Sequence, residues 1–109
     1  MSAAQWEVNA QKLYELLPTL GFEYERRRDR WVGHGVVVKA GAGLRCGRVW
    51  LHVHGRGVLA SIYVTPGATH ISVDVHTTAQ APLPEEEVLR LYRLAVSIAK
   101  EVSKIEPRC

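Results

Sequence analysis

Between Arg26 and Ala81 the chain gathers side chains suited to holding phosphates and flat rings. That stretch carries seven arginines, one lysine and all five histidines, and its only acids are Asp29 and Asp74. Trp31, Trp50 and Tyr63 lie among these cations. An exposed ring stacks on an unpaired base at ~1–3 kcal/mol per base. Arginine forks match phosphate oxygens and also stack on rings. Rings interleaved with arginine suit single strands, because duplex bases offer no free face. Arg26, Arg28 and Arg30 belong to a basic turn that leads straight into Trp31, while Arg45 and Arg48 precede Trp50.

Other chemistries fit these residues less well. His52–Val53–His54 places two imidazoles on one face of a strand, and Asp74–Val75–His76 adds a carboxylate and a third ring. Together they resemble a three-histidine metal set. At ~4.8 Å per strand, however, His52 and His76 start about 9.6 Å apart across an intervening strand. Hydrogen bonding, base stacking or pH-dependent charge suits these histidines better. Ser61 falls near Asp74 with no histidine between them, and Cys46 has no assigned base. The GAG and GRG stretches are too short for a phosphate loop and do not lead from strand into helix. No enzymatic activity, metal or cofactor is expected.

The elements that position these residues follow from periodicity. Trp6, Ala10, Leu13, Leu17 and Leu20 recur along one helical face, so a helix is expected over roughly Ala3 to Leu17, with Ser2 as cap and Gly21 as terminator. Pro18 ends the regular helix or starts a last short turn. Five β-like runs follow: Phe22 to Arg27, Arg30 to Lys39, Arg48 to His54, Val58 to Thr65 and His70 to Thr77. Gly33 and Gly35 suggest bends in the second run, and Ala40 to Gly43 reads as a flexible loop. A final helix runs from Pro84 to Ile105, with Glu85, Glu86 and Glu87 complementing its positive start. The order α-β-β-β-β-β-α predicts an α+β fold, an antiparallel sheet of about five strands with an N-terminal and a C-terminal helix on one face.

Strand parity then sorts the side chains. Val49, Leu51 and Val53 are expected opposite Ile62, Ala60 and Val58, through a turn at Gly55–Arg56. Val64, Ile62 and Ala60 are expected opposite Ile71, Val73 and Val75. These apolar residues form the helix-covered face. The other face receives Arg48 beside Tyr63 and Ser72, Trp50 beside Ser61 and Asp74, and His52 beside Leu59 and His76, with His54 toward one end. A tryptophan in the middle of such a face implies that something covers it.

The candidate nucleic-acid contacts are therefore Trp50, Tyr63, Trp31, Arg45, Arg48, Arg26, Arg28, Arg30, His52 and His54. The expected partner is single-stranded DNA, with RNA left open. The competing reading is a protein-interaction or self-assembly module whose aromatic face a partner buries.

Bulk properties agree. At 109 residues the chain fits one domain. Its 47% apolar and 23% charged residues exclude a disordered or collagen-like chain. Formal net charge is only +3, so the local concentration of cations carries more information than the total. No apolar run approaches a membrane span, and the N-terminus lacks a secretory pattern, so a cytoplasmic location is expected. Cys46 and Cys109 make no disulfide scaffold.

The whole chain resembles the single-stranded-DNA-binding proteins of hyperthermophilic archaea known as ThermoDBP, and more closely their ThermoDBP-related relatives. The resemblance rests on the amphipathic helix from Trp6 to Leu17, the short-stranded sheet with Trp31 and Trp50, and the helix from Pro84 to Ile105. It implies a ring-lined groove flanked by basic residues, and a homo-oligomer such as a dimer or tetramer. The chain lacks the long C-terminal coiled-coil extension of ThermoDBP itself. Assembly would then use another surface, such as that of Leu89 and Val96 on the wide apolar side of the last helix.

Overall fold

Leu13 and Leu17 anchor helix α1 (Ala3–Thr19) to the sheet, and both are fully buried. The computed structural model describes residues 3–42, 49–64, 71–78 and 84–104, with side chains of α1 from residue 10 onward. The helix runs one residue past Pro18. Gly21 then closes it in the left-handed region (φ +92°). The Phe22 N–H donates to the Leu17 carbonyl at 3.2 Å and the Gly21 N–H to the Pro18 carbonyl at 3.1 Å. This paired arrangement satisfies carbonyls that the helix end leaves over.

Among the described residues six strands follow, close to the five expected: β1 (Glu23–Glu25), β2 (Arg30–Gly33), β3 (Val36–Ala42), β4 (Val49–His54), β5 (Val58–Val64) and β6 (Ile71–Thr77). They form one antiparallel sheet in sequence order. The extra strand arises where a single run from Arg30 to Lys39 was expected. His34 (φ +51°) and Gly35 (φ +71°) are both left-handed, which is the two-residue hairpin turn that matches strand twist. The run therefore folds back on itself. The first run, in turn, is only three residues long, because the arginines after it form a 3-10 turn, Arg26–Arg28, closed by left-handed Asp29.

Two further expectations are corrected. Ala40, Gly41 and Ala42 are not a loop but the end of β3, paired with Leu51, Trp50 and Val49. The β4–β5 register is shifted by two residues: Val49, Leu51 and Val53 face Val64, Ile62 and Ala60. The turn sits at Arg56–Gly57, since Gly57 takes φ +67° and the Gly55 N–H donates to the Val58 carbonyl at 2.9 Å. A shift of two preserves parity, so the sorting of residues between faces holds. The β5–β6 register is as expected, from Val64 opposite Ile71 to Ala60 opposite Val75.

Helix α2 (Glu85–Val102) lays Leu91, Ala95, Ile98, Ala99 and Val102 against β5 and β6, while α1 covers β1, β3 and β4. Both helices meet the face that carries Val38, Val49, Leu51, Val53, Val58, Ala60, Ile62 and Val64. The fold is thus α+β, with the opposite face of the sheet left without a helix among the described residues. At the start of α2, Glu87 accepts from the Arg56 N–H at 2.8 Å and is ion-paired with Arg90, whose Nη1 donates to the His34 carbonyl at 2.8 Å. These bonds tie α2 to two hairpin turns. They hold the Glu87 carboxyl down at about 2, the Arg90 hydrogen bond first and the Arg56 N–H second. Leu91 packs so closely on Gly55 that a β-carbon there would come within 2.5 Å of it.

Candidate nucleic-acid interface

The corrected register brings Trp50 opposite Tyr63, a pair that the expected alignment kept two residues apart. Both rings stand on the open face, each partly exposed. His52 lies along the same strand, with ring centroids 5.0 Å from Trp50 and 6.2 Å from Tyr63. Its Nε2 shares a hydrogen bond with the Tyr63 hydroxyl at 3.3 Å. His52 now faces Ser61, with Asp74 one strand further, and His54 faces Leu59 and His76. His54, at the exposed end of β4, borders this row; partial burial first, then His52 and Lys39, lower its pKa. Among the described residues no three His, Cys, Asp or Glu groups come together as a metal site.

Trp31 stands on the other face. It pairs with Val38 and is 8% exposed, under the helix-covered layer. Tyr14 of α1 stacks on it at 6.1 Å with rings inclined by 26°, and Tyr24 of β1 tilts against it at 5.1 Å. Trp31 is therefore the floor beneath two tyrosines that are 41% and 44% exposed, rather than a free-standing platform.

The two aromatic groups meet at the open end of β3. The last β2–β3 partners are Trp31 and Val38, and the chain before β2 turns away through Arg26–Arg28 and Asp29. Beyond Val38 the edge of β3 is uncovered by β2. Trp50 reaches this edge from the open face by lying across Gly41, where a β-carbon would come within 2.8 Å of its ring. The result is a recess of about 560 Å³, walled by Tyr14, Tyr24, Trp31 and Trp50. Arg28, Asp29 and Lys39 also line it, with Ala40 of the exposed edge. Its size is that of small-molecule sites, which are mostly apolar with a few placed polar groups.

The charges around the recess are unevenly engaged. Arg28 is largely solvated and only loosely paired with Glu25, at 3.5 Å. Arg30 is more buried and holds both Glu25 oxygens, at 3.3 and 3.5 Å, so it buttresses the turn. Arg26 is exposed on the same turn. The Tyr24 hydroxyl donates to Asp29 at 2.5 Å, which fixes the ring and, as the first cause, raises its pKa. Arg45 and Arg48 lie outside the described residues.

Tyr14, Tyr24 and Lys39 are the residues that reading the sequence missed. Tyr24 carried a usable signal: once the turn through Arg26–Arg28 and Asp29 is read as joining two antiparallel strands, parity places Tyr24 opposite Trp31. Tyr14 sits beside the buried Leu13 and Leu17 positions of α1, where a tyrosine reads as ordinary flank. No protein-family profile, curated protein or solved structure matches the chain.

Proposed function

We propose that this protein binds single-stranded nucleic acid, DNA foremost, largely without sequence preference and without catalysis, in the cytoplasm. The observation that carries this reading is the aromatic track that runs from the recess of Tyr14, Tyr24 and Trp31, over Trp50, to His52 and Tyr63, with Arg28 and Lys39 beside it. Stacking on such rings is indifferent to sequence, since every base has a π-face. The cations supply salt-sensitive contacts to the backbone. A duplex keeps its bases stacked and cannot enter the recess. Arg26, and Arg45 and Arg48 from the sequence, extend the basic margin. The resemblance to ThermoDBP-related proteins points the same way.

The test is fluorescence anisotropy with labelled single-stranded DNA, duplex DNA and RNA of equal length, at low and moderate salt. Tight binding that prefers single strands and weakens with salt is expected. Absence of binding to all three at low salt overturns the reading.

A second proposal concerns assembly. Leu89 and Tyr92 are 48% and 51% exposed on α2, an apolar margin that favours association of copies into a dimer or tetramer. Light scattering on the purified chain decides it, and a monomer at all concentrations refutes it.

A further inference from the structure

We infer that the recess receives one unstacked nucleobase, and that the main chain of Ala40 reads that base's hydrogen-bonding edge. This rests on the nucleic-acid reading and adds to it a donor and an acceptor that stacking does not require.

The direction of the Ala40 groups follows from the ladder. Along an antiparallel strand, alternate residues turn both main-chain groups toward the same neighbour. The Gly55 N–H bonds to Val58, so Val53, Leu51 and Val49 address β5, whereas Trp50, His52 and His54 address β3. Their partners Gly41, Lys39 and Val37 return those bonds. Ala40 must then turn its N–H and C=O away from β4, toward the side where the pairing of β3 with β2 has already stopped at Val38 and Trp31. The Tyr14 hydroxyl donates to the Ala40 carbonyl at 3.4 Å from that side, as this geometry requires. A carbonyl oxygen accepts twice, so the long Tyr14 bond leaves capacity for another donor.

An N–H and a C=O side by side on one residue complement a base. Adenine, cytosine, guanine and thymine each carry an acceptor next to a donor on the Watson–Crick edge. All four can therefore satisfy Ala40, which keeps the site tolerant of sequence. Tyr14, Tyr24, Trp31 and Trp50 supply the faces against which a ring lies, and Arg28 and Lys39 stand where its phosphate would pass. A peptide strand is a poorer occupant, because the stretch of β3 that β2 does not pair is short and begins only after Val38.

The test follows the Ala40 amide by nitrogen–proton NMR in the full chain. The probes are a short homopolymeric deoxyoligonucleotide, a sugar–phosphate oligomer of equal length without bases, and the four nucleoside monophosphates. The Ala40 amide proton is expected to move downfield with the oligonucleotide and to stay in place with the abasic oligomer. An oligonucleotide that binds and shifts the Trp50 indole while the Ala40 amide stays still overturns the inference and leaves the nucleic-acid reading standing. Monophosphates that move Ala40 while no oligonucleotide binds would support the base site and overturn the strand reading. No response to any probe overturns both.

Ala40→Pro gives an independent check, because it removes the N–H at a position where no ladder bond is lost. Affinity for the oligonucleotide should fall about five- to tenfold, with binding of the abasic oligomer unchanged. An equal loss on both probes, or none, overturns the inference, and the unsubstituted chain decides the matter by NMR if the variant fails to fold.

Discussion

The Trp50 indole packs so closely on Gly41 that a β-carbon there would stand 2.8 Å from Cζ2 and 3.0 Å from Cε2 of the ring. Gly41 is thus the reason Trp50 can reach around the sheet edge into the recess. Gly41→Ala should push the indole outward. We expect a shift in tryptophan emission, weaker binding of single-stranded DNA, and a stability loss of about 1–3 kcal/mol from overpacking. Unchanged emission and affinity would show that the ring does not depend on this contact.

Trp50 and Trp31 should separate binding from folding. Trp50 is partly exposed on the open face, whereas Trp31 is 8% exposed beneath Tyr14 and Tyr24. Trp50→Ala should cost about 1–3 kcal/mol of oligonucleotide affinity at every salt concentration, with little change in unfolding. Trp31→Ala should cost about 3–5 kcal/mol of stability as a core truncation. Urea titrations beside anisotropy distinguish the two, and the reverse pattern would mean the faces are misassigned.

Arg28 and Lys39 should act through charge. If each meets one phosphate, Arg28→Ala or Lys39→Ala lowers the slope of log affinity against log salt by about 0.7. Arg30→Ala should instead weaken folding, since its guanidinium holds both oxygens of Glu25. Affinities measured over a salt series give the slopes; identical slopes in all variants would remove these cations from the interface.

Glu87 predicts an acid-dependent weakness. Its carboxyl is held at about 2, below its ordinary 4.5, by Arg90 and the Arg56 N–H. A carboxyl depressed in the folded state stabilises fully above about 4.5, and that contribution is lost as pH falls toward about 2. Glu87→Gln should lose stability at neutral pH and show a shallower decline through that window. Chemical denaturation of both proteins across the window checks it, and parallel curves would mean that the tie to α2 adds nothing.

How far the sequence reached depends on where each constraint lies. Parity needed only the residues within a strand, so the apolar sets of β4, β5 and β6 were legible, as was the Val64–Ile71 register. The β4–β5 alignment turned on which glycine takes a positive φ. Gly57 does so, and choosing Gly55–Arg56 instead separated Trp50 from Tyr63. Gly41 looked like a loop residue because its requirement comes from the ring of Trp50, on the next strand. The recess was least legible, since Tyr14, Tyr24 and Trp50 come from a helix and two separate strands, and only the early end of β2 brings them together.

Because both helices occupy one side of the sheet, alternate positions of a single strand answer to different demands. In β4, Val49, Leu51 and Val53 are fully buried, while the alternate positions Trp50, His52 and His54 lie on the opposite face and are partly or largely exposed. Core-forming and solvent-facing positions are thus interleaved along this one strand. The even positions of β4 are open to change, by selection or by engineering, while the odd ones keep the scaffold.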